Sequence, residues 1–265
     1  MTAYGDAQKY FLQAMMQKGS ATDHECDSLI DECFKVTEKD RNQWTLSSFI
    51  TSVNKQIQPF HLEIRKGNDE DSGQDVYALI SVTDHDINHL VIGGNFTKIE
   101  IEIFHRAVDL IVSSNTGMVS STDILNITEE LPQKNILKSE IEILITKLVK
   151  QNWVGEKDGM VYLTPRSILE LEPYIKAELK NEVLYCNICK SMVLKGVNCK
   201  RCRSRIHLYC ASTYFRGRSM DECKCPVCHD VMTLLPSLPN MDTSRVNGSM
   251  EGLTPTMNER RKRRR

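Results

Sequence analysis

No apolar run in this 265-residue chain approaches the roughly 18 residues of a membrane span, so no transmembrane segment and no membrane partner are expected. The opening "MTAYGDAQKYFLQAMMQKG" lacks the positive-then-apolar layout of a secretory signal. The expectation is an intracellular chain whose thiols stay reduced. Net charge is almost absent: 34 Lys and Arg against 35 Asp and Glu leave −1. Nothing global advertises nucleic acid, and any basic contact must come from local patches. Cysteine is scarce over residues 1–183, where only Cys26 and Cys33 occur, seven apart and suited to the buried side of one helix. The other eight cysteines fall between Cys186 and Cys228, which puts a boundary near residue 183. The length suits two or three domains.

The region before that boundary carries helical and strand periodicities in a repeating order. Residues 7–17 and 22–36 read as short amphipathic helices. Leu46, Phe49, Ile50, Val53 and Ile57 mark a third over 45–58, stopped by Pro59. "FHLEIRK" and "VYALISV" alternate apolar and polar residues around the polar "GNDEDSG", a strand, a loop and a strand. Three helices and a hairpin is the winged-helix order. It recurs with helices over 98–112, near 120–131 (Ser120, Ser121 and Thr122 as candidate caps) and over 138–151, then "WVGEKDGMVYL" with Asp158-Gly159 at its turn. A helix over 167–180 closes the set. The reading is two winged helices in tandem, residues 1–83 and 97–180, joined near 84–96.

Their third helices are poor in the groups that read DNA. Residues 45–58 hold one basic side chain, Lys55, and 138–151 dilute Lys138, Lys147 and Lys150 with Glu140 and Glu142. The first wing, "NDEDSGQD", is acidic and would be repelled by phosphate. Protein–protein use is favoured over sequence-specific DNA reading, with any DNA contact weak or indirect.

The cysteine cluster has ligand spacing. Cys186 and Cys189 form one C-x-x-C, Cys199 and Cys202 a second, His207 and Cys210 an H-x-x-C, and Cys225 and Cys228 a third C-x-x-C. In a reducing compartment such a cluster reads as metal before disulfide. Eight ligands fill two closed tetrahedral zinc sites, so two zinc ions are the expected cofactors. Ligand order alone leaves the pairing open between consecutive beads and an interleaved cross-brace. Lys195, Lys200, Arg201, Arg203 and Arg205 lie among the ligands. Charge compensation of the thiolates is favoured for them over recognition of phosphate or an acidic partner. A module of about 45 residues is too small for an apolar core of its own, and structural zinc, on the order of 10–16 kcal/mol, would supply most of its stability.

The order of four Cys, one His and three Cys matches a PHD finger. Cys223, however, stands where that family usually has an aromatic, and the stretch has no Trp. Cys225-Pro226-Val227-Cys228 is the C-P-x-C ending of RING domains, and Ile188 between the first two ligands is an apolar type that RINGs use. The stretch resembles a variant RING over residues 183–235. That resemblance implies the cross-brace, with Cys186, Cys189, His207 and Cys210 on one zinc and Cys199, Cys202, Cys225 and Cys228 on the other. Cys223 fits no pair and is left out.

Two winged helices followed by such a module resemble one family over about residues 5–235, the non-SMC element 1 subunits of the Smc five–six DNA-repair complex. The resemblance implies an α+β chain of tandem winged helices and a small cross-braced two-zinc domain. It implies a ubiquitin ligase subunit acting in double-strand break repair by homologous recombination, in the nucleus and on chromosomes. Its expected partners are a melanoma-antigen (MAGE) type subunit, docked by the winged helices, a kleisin-type subunit and a ubiquitin-conjugating enzyme. A RING has no catalytic nucleophile; it holds the conjugating enzyme's ubiquitin thioester in a reactive geometry. Ile188, Tyr214, Phe215 and Pro226 are the candidate contacts, with packing on the zinc knuckles as the alternative for Tyr214 and Phe215. His229 stands after the last ligand, where active RINGs often have Arg or Lys, which implies weak or partner-dependent activity. A non-enzymatic scaffold is the alternative function. A histone-tail reader is disfavoured by the missing aromatic cage.

From Pro236 the chain is rich in Pro, Ser, Asn and Gly and reads as a disordered tail, 236–265. It ends in Arg260, Arg261, Lys262, Arg263, Arg264 and Arg265, a nuclear-localisation pattern.

Overall fold

Short hydroxyl side chains start most of the helices. Thr22, Thr45, Thr97, Ser120 and Thr164 each accept a hydrogen bond from the backbone N–H three residues on. Glu25, Glu100 and Asp123 return the bond to the cap's own N–H, closing reciprocal boxes. The computed structural model describes residues 4–82, 96–129, 136–217 and 223–232. The tail 236–265 with its run Arg260–Arg265, and nearly all of the joint expected near 84–96, lie outside the described residues.

The first winged helix runs α1 (Asp6–Lys18), β1 (Ser20–Thr22), α2 (Asp23–Val36), α3 (Leu46–Ile57), β2 (Leu62–Asn68) and β3 (Asp75–Ser81). The sheet order is β1-β3-β2, antiparallel throughout. The helices and the hairpin stand where the sequence periodicity predicts them. Strand β1 was not anticipated, because three residues are too few for alternation to register. Phe49 is the centre of this core, with edge-to-face contacts to Phe11 at 5.3 Å, Trp44 at 5.6 Å and Phe34 at 5.8 Å. Cys26 and Cys33 are buried in α2 beside it, as expected of core thiols.

The second winged helix repeats the order with α4 (Lys98–Ser113), β4 (Met118–Ser120), α5 (Ser121–Asn126), α6 (Lys138–Lys150), β5 (Val154–Lys157) and β6 (Met160–Leu163), sheet order β4-β6-β5. Ser120 is the cap of α5, which ends at Asn126 and passes into a 3-10 turn, Ile127–Glu129. The helix expected near 120–131 is therefore shorter. Asp158 and Gly159 both take positive φ, 53° and 73°, the two-residue turn that matches strand twist.

Helix α7 (Pro165–Glu178) serves both winged helices. Leu171 and Ile175 are fully buried in the second core. Leu169 fills the space a side chain at Gly67 of β2 would need, 2.8 Å from that Cβ position. Asn152 Nδ2 also donates to Ser20 Oγ at 2.5 Å. The two units thus share a packed wall in addition to the chain that joins them.

The cysteine-rich module is not a separate bead either. Residues Met1–Leu234 form one compact unit, and Met192 and Leu194 belong to the core of the second winged helix. At Gly117, φ is +70° and a Cβ would run into the Leu194 carbonyl, so only glycine lets this loop lie on the module's backbone. Among the described residues no helix is long and apolar enough to cross a membrane.

Candidate metal centre

Three knuckles of one design build the module. In each, a first cysteine donates its backbone N–H to the carbonyl five residues on: Cys186 to Ser191, Cys199 to Ser204, Cys225 to Asp230, all at 2.8 Å. The residue after each second cysteine returns its N–H to the first cysteine's carbonyl, Lys190 at 2.8 Å, Arg203 at 3.1 Å and His229 at 3.0 Å. Those three have φ of 66°, 56° and 59°. Left-handed backbone at a residue with a Cβ is strained; here it turns both sulfurs of a C-x-x-C to one side. His229 therefore occupies a turn position that the knuckle itself demands.

The knuckles interleave. Cys186, Cys189, His207 and Cys210 place their ligand atoms within 4.8 Å of one another, and Cys199, Cys202, Cys225 and Cys228 do the same. A short hairpin, β7 (Val197–Asn198) and β8 (Arg205–Ile206), and helix α8 (Leu208–Tyr214) carry the chain between the sites. His207 caps α8, so its ring and Cys210 one turn later face the same site. Cys189 Sγ lies 3.3 Å from His207 Nδ1. Cys199 Sγ lies 3.5 Å from Cys228 Sγ, and Cys202 Sγ 3.6 Å from Cys225 Sγ. Two sulfurs each about 2.3 Å from one tetrahedral ion sit about 3.8 Å apart, so these spacings fit a shared cation. The pairing is the interleaved one.

The electrostatics suit the same cation. Burial works to raise the Cys186 thiol, but hydrogen bonding to His207 and to the backbone of Cys189 outweighs it and brings the group down to about 6. Burial and the neighbouring Cys186 and Cys189 push Cys210 up to about 12. In the second set, the hydroxyl and backbone of Ser204 draw Cys202 down to about 6. Thiols this crowded cannot all ionise unless a cation lies between them.

His207 is fixed from its far side. Its Nε2 lies 3.0 Å from the Met192 carbonyl and 3.5 Å from Glu70 Oε1. A proton held at Nε2 leaves Nδ1 free to ligate. Glu70 belongs to the tip of the β2–β3 hairpin and is 4 % exposed. Its carboxylate accepts from the N–H of Leu194 at 2.7 Å and of Lys195 at 3.1 Å. Sequence reasoning missed this residue. The acidic wing looked like a deterrent to phosphate, and a hydrogen bond across more than 120 residues leaves no local signal.

Two of the five basic residues also prove different. Lys195 is 6 % exposed, bonds Asp71 at 2.6 Å and lies 4.0 Å from the Tyr162 ring centroid. Arg205, 4 % exposed, donates to Asn198 Oδ1, to the Leu194 carbonyl and to the carbonyls of Ser114 and Asn115. Both join the module to the winged helices instead of compensating thiolates. Lys200, Arg201 and Arg203 are exposed on the second knuckle.

Of the proposed enzyme contacts, Ile188 and Pro226 are half-buried in the first and third knuckles, and Tyr214 at the end of α8 is 37 % exposed. Phe215 is corrected: at 4 % exposure, edge-to-face with Tyr214 at 5.0 Å, it packs inward and offers no surface. Val227, the counterpart of Ile188 in the third knuckle, is 53 % exposed and was overlooked because only Pro226 carried the motif. Cys223 is buried and stands outside both ligand sets.

Residues 8–171 match the family model "Nse1 non-SMC component of SMC5-6 complex", and 186–228 match that of a RING-like domain. The chain is 36 % identical over 228 residues to the non-structural maintenance of chromosomes element 1 homolog of Rattus norvegicus, covering 86 % of this chain and 84 % of that one. The homolog of Homo sapiens is 35 % identical over 225 residues, covering 85 % and 83 %. A chain of a solved Nse1-Nse3-Nse4 complex superposes with a TM-score of 0.78 at 28 % identity, over 87 % of this chain and 97 % of that one.

Proposed function

The chain belongs to the Nse1 family of non-SMC components of the SMC5-6 complex, and from that membership we propose that it is the complex's RING-type ubiquitin ligase subunit. Its two metal ions are zinc, the ion that three- and four-thiolate tetrahedral sets suit best. The ions are structural: they supply folding energy and hold the knuckles in register. The winged helices dock a MAGE-type subunit, and a kleisin-type subunit is a further partner; the similarity to a chain of a solved Nse1-Nse3-Nse4 complex supports this. The protein works in the nucleus, on chromosomes, in double-strand break repair by homologous recombination, and the run Arg260–Arg265 is its targeting signal. Contact with DNA is indirect or weak.

The observation that carries the ligase reading is the pair of knuckle tips. Ile188 and Pro226 sit between paired ligands of the first and third knuckles, with Val227 exposed beside Pro226. Apolar tips on a metal-stiffened frame suit the docking of a conjugating enzyme, whose thioester is then held in a reactive geometry. Tyr214 extends that surface, and Phe215 supports it from behind. The test is reconstitution of the full-length chain with its two partner subunits, a panel of conjugating enzymes and ubiquitin. Ubiquitin transfer should appear and fall at least tenfold with Ile188→Ala while both zincs are retained. Inactivity with every enzyme in the panel would refute it.

A second reading, a scaffold without catalysis, is favoured by the joints between the module and the winged helices at Glu70, Lys195 and Arg205. Under it the module braces the subunit for assembly, and Ile188→Ala changes nothing.

A further inference from the structure

The tip of the first wing touches the first metal site through more than one group. Asp69 shapes the turn, accepting from the N–H of Gly73 at 2.8 Å through its carbonyl and from the N–H of Ser72 at 2.8 Å through its side chain. Gly73, at φ +71°, lies so close beneath Tyr209 that a Cβ would be 2.6 Å from the ring. Tyr209 in turn stacks on His207, centroids 5.1 Å apart and planes 19° from parallel, with its hydroxyl 3.8 Å from Cys189 Sγ. Glu70 stands at the Nε2 edge of the same imidazole, 3.5 Å away, beside the Met192 carbonyl at 3.0 Å.

We propose that Glu70 is a positioning residue for the first metal site, an outer carboxylate that couples docking of the first wing to metal retention. The inference rests on the metal reading of Cys186, Cys189, His207 and Cys210. When Nδ1 binds a cation, electron density is drawn from the ring and the Nε2–H becomes a better donor. A buried carboxylate beside that proton then interacts more strongly, and it makes Nδ1 the better ligand in return. The same carboxylate is held by the Leu194 and Lys195 N–H groups on the bend that leaves the first knuckle, so it can favour the imidazole only while the wing is docked. Coupling of this kind is reciprocal: wing docking slows metal loss, and metal loss loosens the wing.

Cobalt(II) in the full-length chain is the probe, because a three-thiolate site and a four-thiolate site differ in their visible bands. Release from each is followed after adding excess chelator, with the four-thiolate site as internal reference. Glu70→Ala should speed release from the three-thiolate site by about 10- to 100-fold. Glu70→Gln, which keeps the bulk and one acceptor oxygen but loses the charge, should fall between. Asp71→Asn, which weakens the wing's Lys195 contact but keeps the Glu70 carboxylate, should speed release less than either Glu70 variant. Hydrogen exchange should show residues 62–81 of the wild type opening when metal is withdrawn. Equal release from wild type and Glu70→Gln, whatever the melting temperatures, overturns the proposal and leaves the metal assignment standing. A wild-type chain that takes no cobalt into the three-thiolate site overturns both.

Discussion

Glu170 on α7 accepts a hydrogen bond from the backbone N–H of Ser81 at 3.2 Å, so a buried carboxyl of the second winged helix closes the last strand of the first. Its other oxygen stands 3.8 Å from Arg166 Nε, and neither of those atoms has a hydrogen bond. Burial pushes Glu170 up to about 7 against the opposing pull of Arg166. The folded chain therefore holds this proton to near pH 7, whereas the unfolded chain releases it around 4.5. Between those values the folded state binds more protons, and this group's contribution to stability falls as pH rises. Thermal melts should show Glu170→Gln gaining several degrees over the wild type at pH 8 and little at pH 4.5. A difference independent of pH would contradict this.

Arg205 is the fastener between the module and the loop after α4. Arg205→Lys keeps the charge but cannot reach Asn198, Leu194, Ser114 and Asn115 together. The loss is expected to be about 3 kcal/mol, since two or more charge-assisted bonds in a buried setting go unmade. Denaturant unfolding of the metal-loaded chain measures it, and limited proteolysis should then cut between the second winged helix and the first knuckle.

Gly117 and Gly159 have nearly equal φ, +70° and +73°, but only Gly117 faces the Leu194 backbone, while Gly159 has open space. Alanine at each shares the backbone strain, roughly 1 kcal/mol. Gly117→Ala should cost at least about 1 kcal/mol more. Equal melting temperatures for the two variants would mean that the module does not press on that loop.

Much of this architecture is written in local sequence. Helix caps, the apolar stripe of α6, the Asp158-Gly159 turn and the ligand spacing each involve residues within a few positions of one another, so they can be read without coordinates. Strands β1 and β4 escape because their partners, β3 and β6, lie far along the chain and three residues carry no period. Glu70, Lys195 and Arg205 escape for the same reason: what makes them structural is a neighbour more than 80 residues away, as with Leu194, Asp71 and Asn115. Sequence leaves Tyr214 and Phe215 open between surface contact and inward packing because aromatic pairs at a helix end look alike; burial resolves Phe215 to packing.

Metal analysis of paired ligand variants in the full-length chain tests the interleaved centre most directly. The wild type should hold two zincs per chain. Cys199→Ser with Cys228→Ser removes ligands of one site only and should leave one zinc. Cys186→Ser with Cys199→Ser damages both sites and should leave none. The opposite outcome, no zinc in the first double variant and one in the second, would mean that the ligands pair consecutively and would contradict the account.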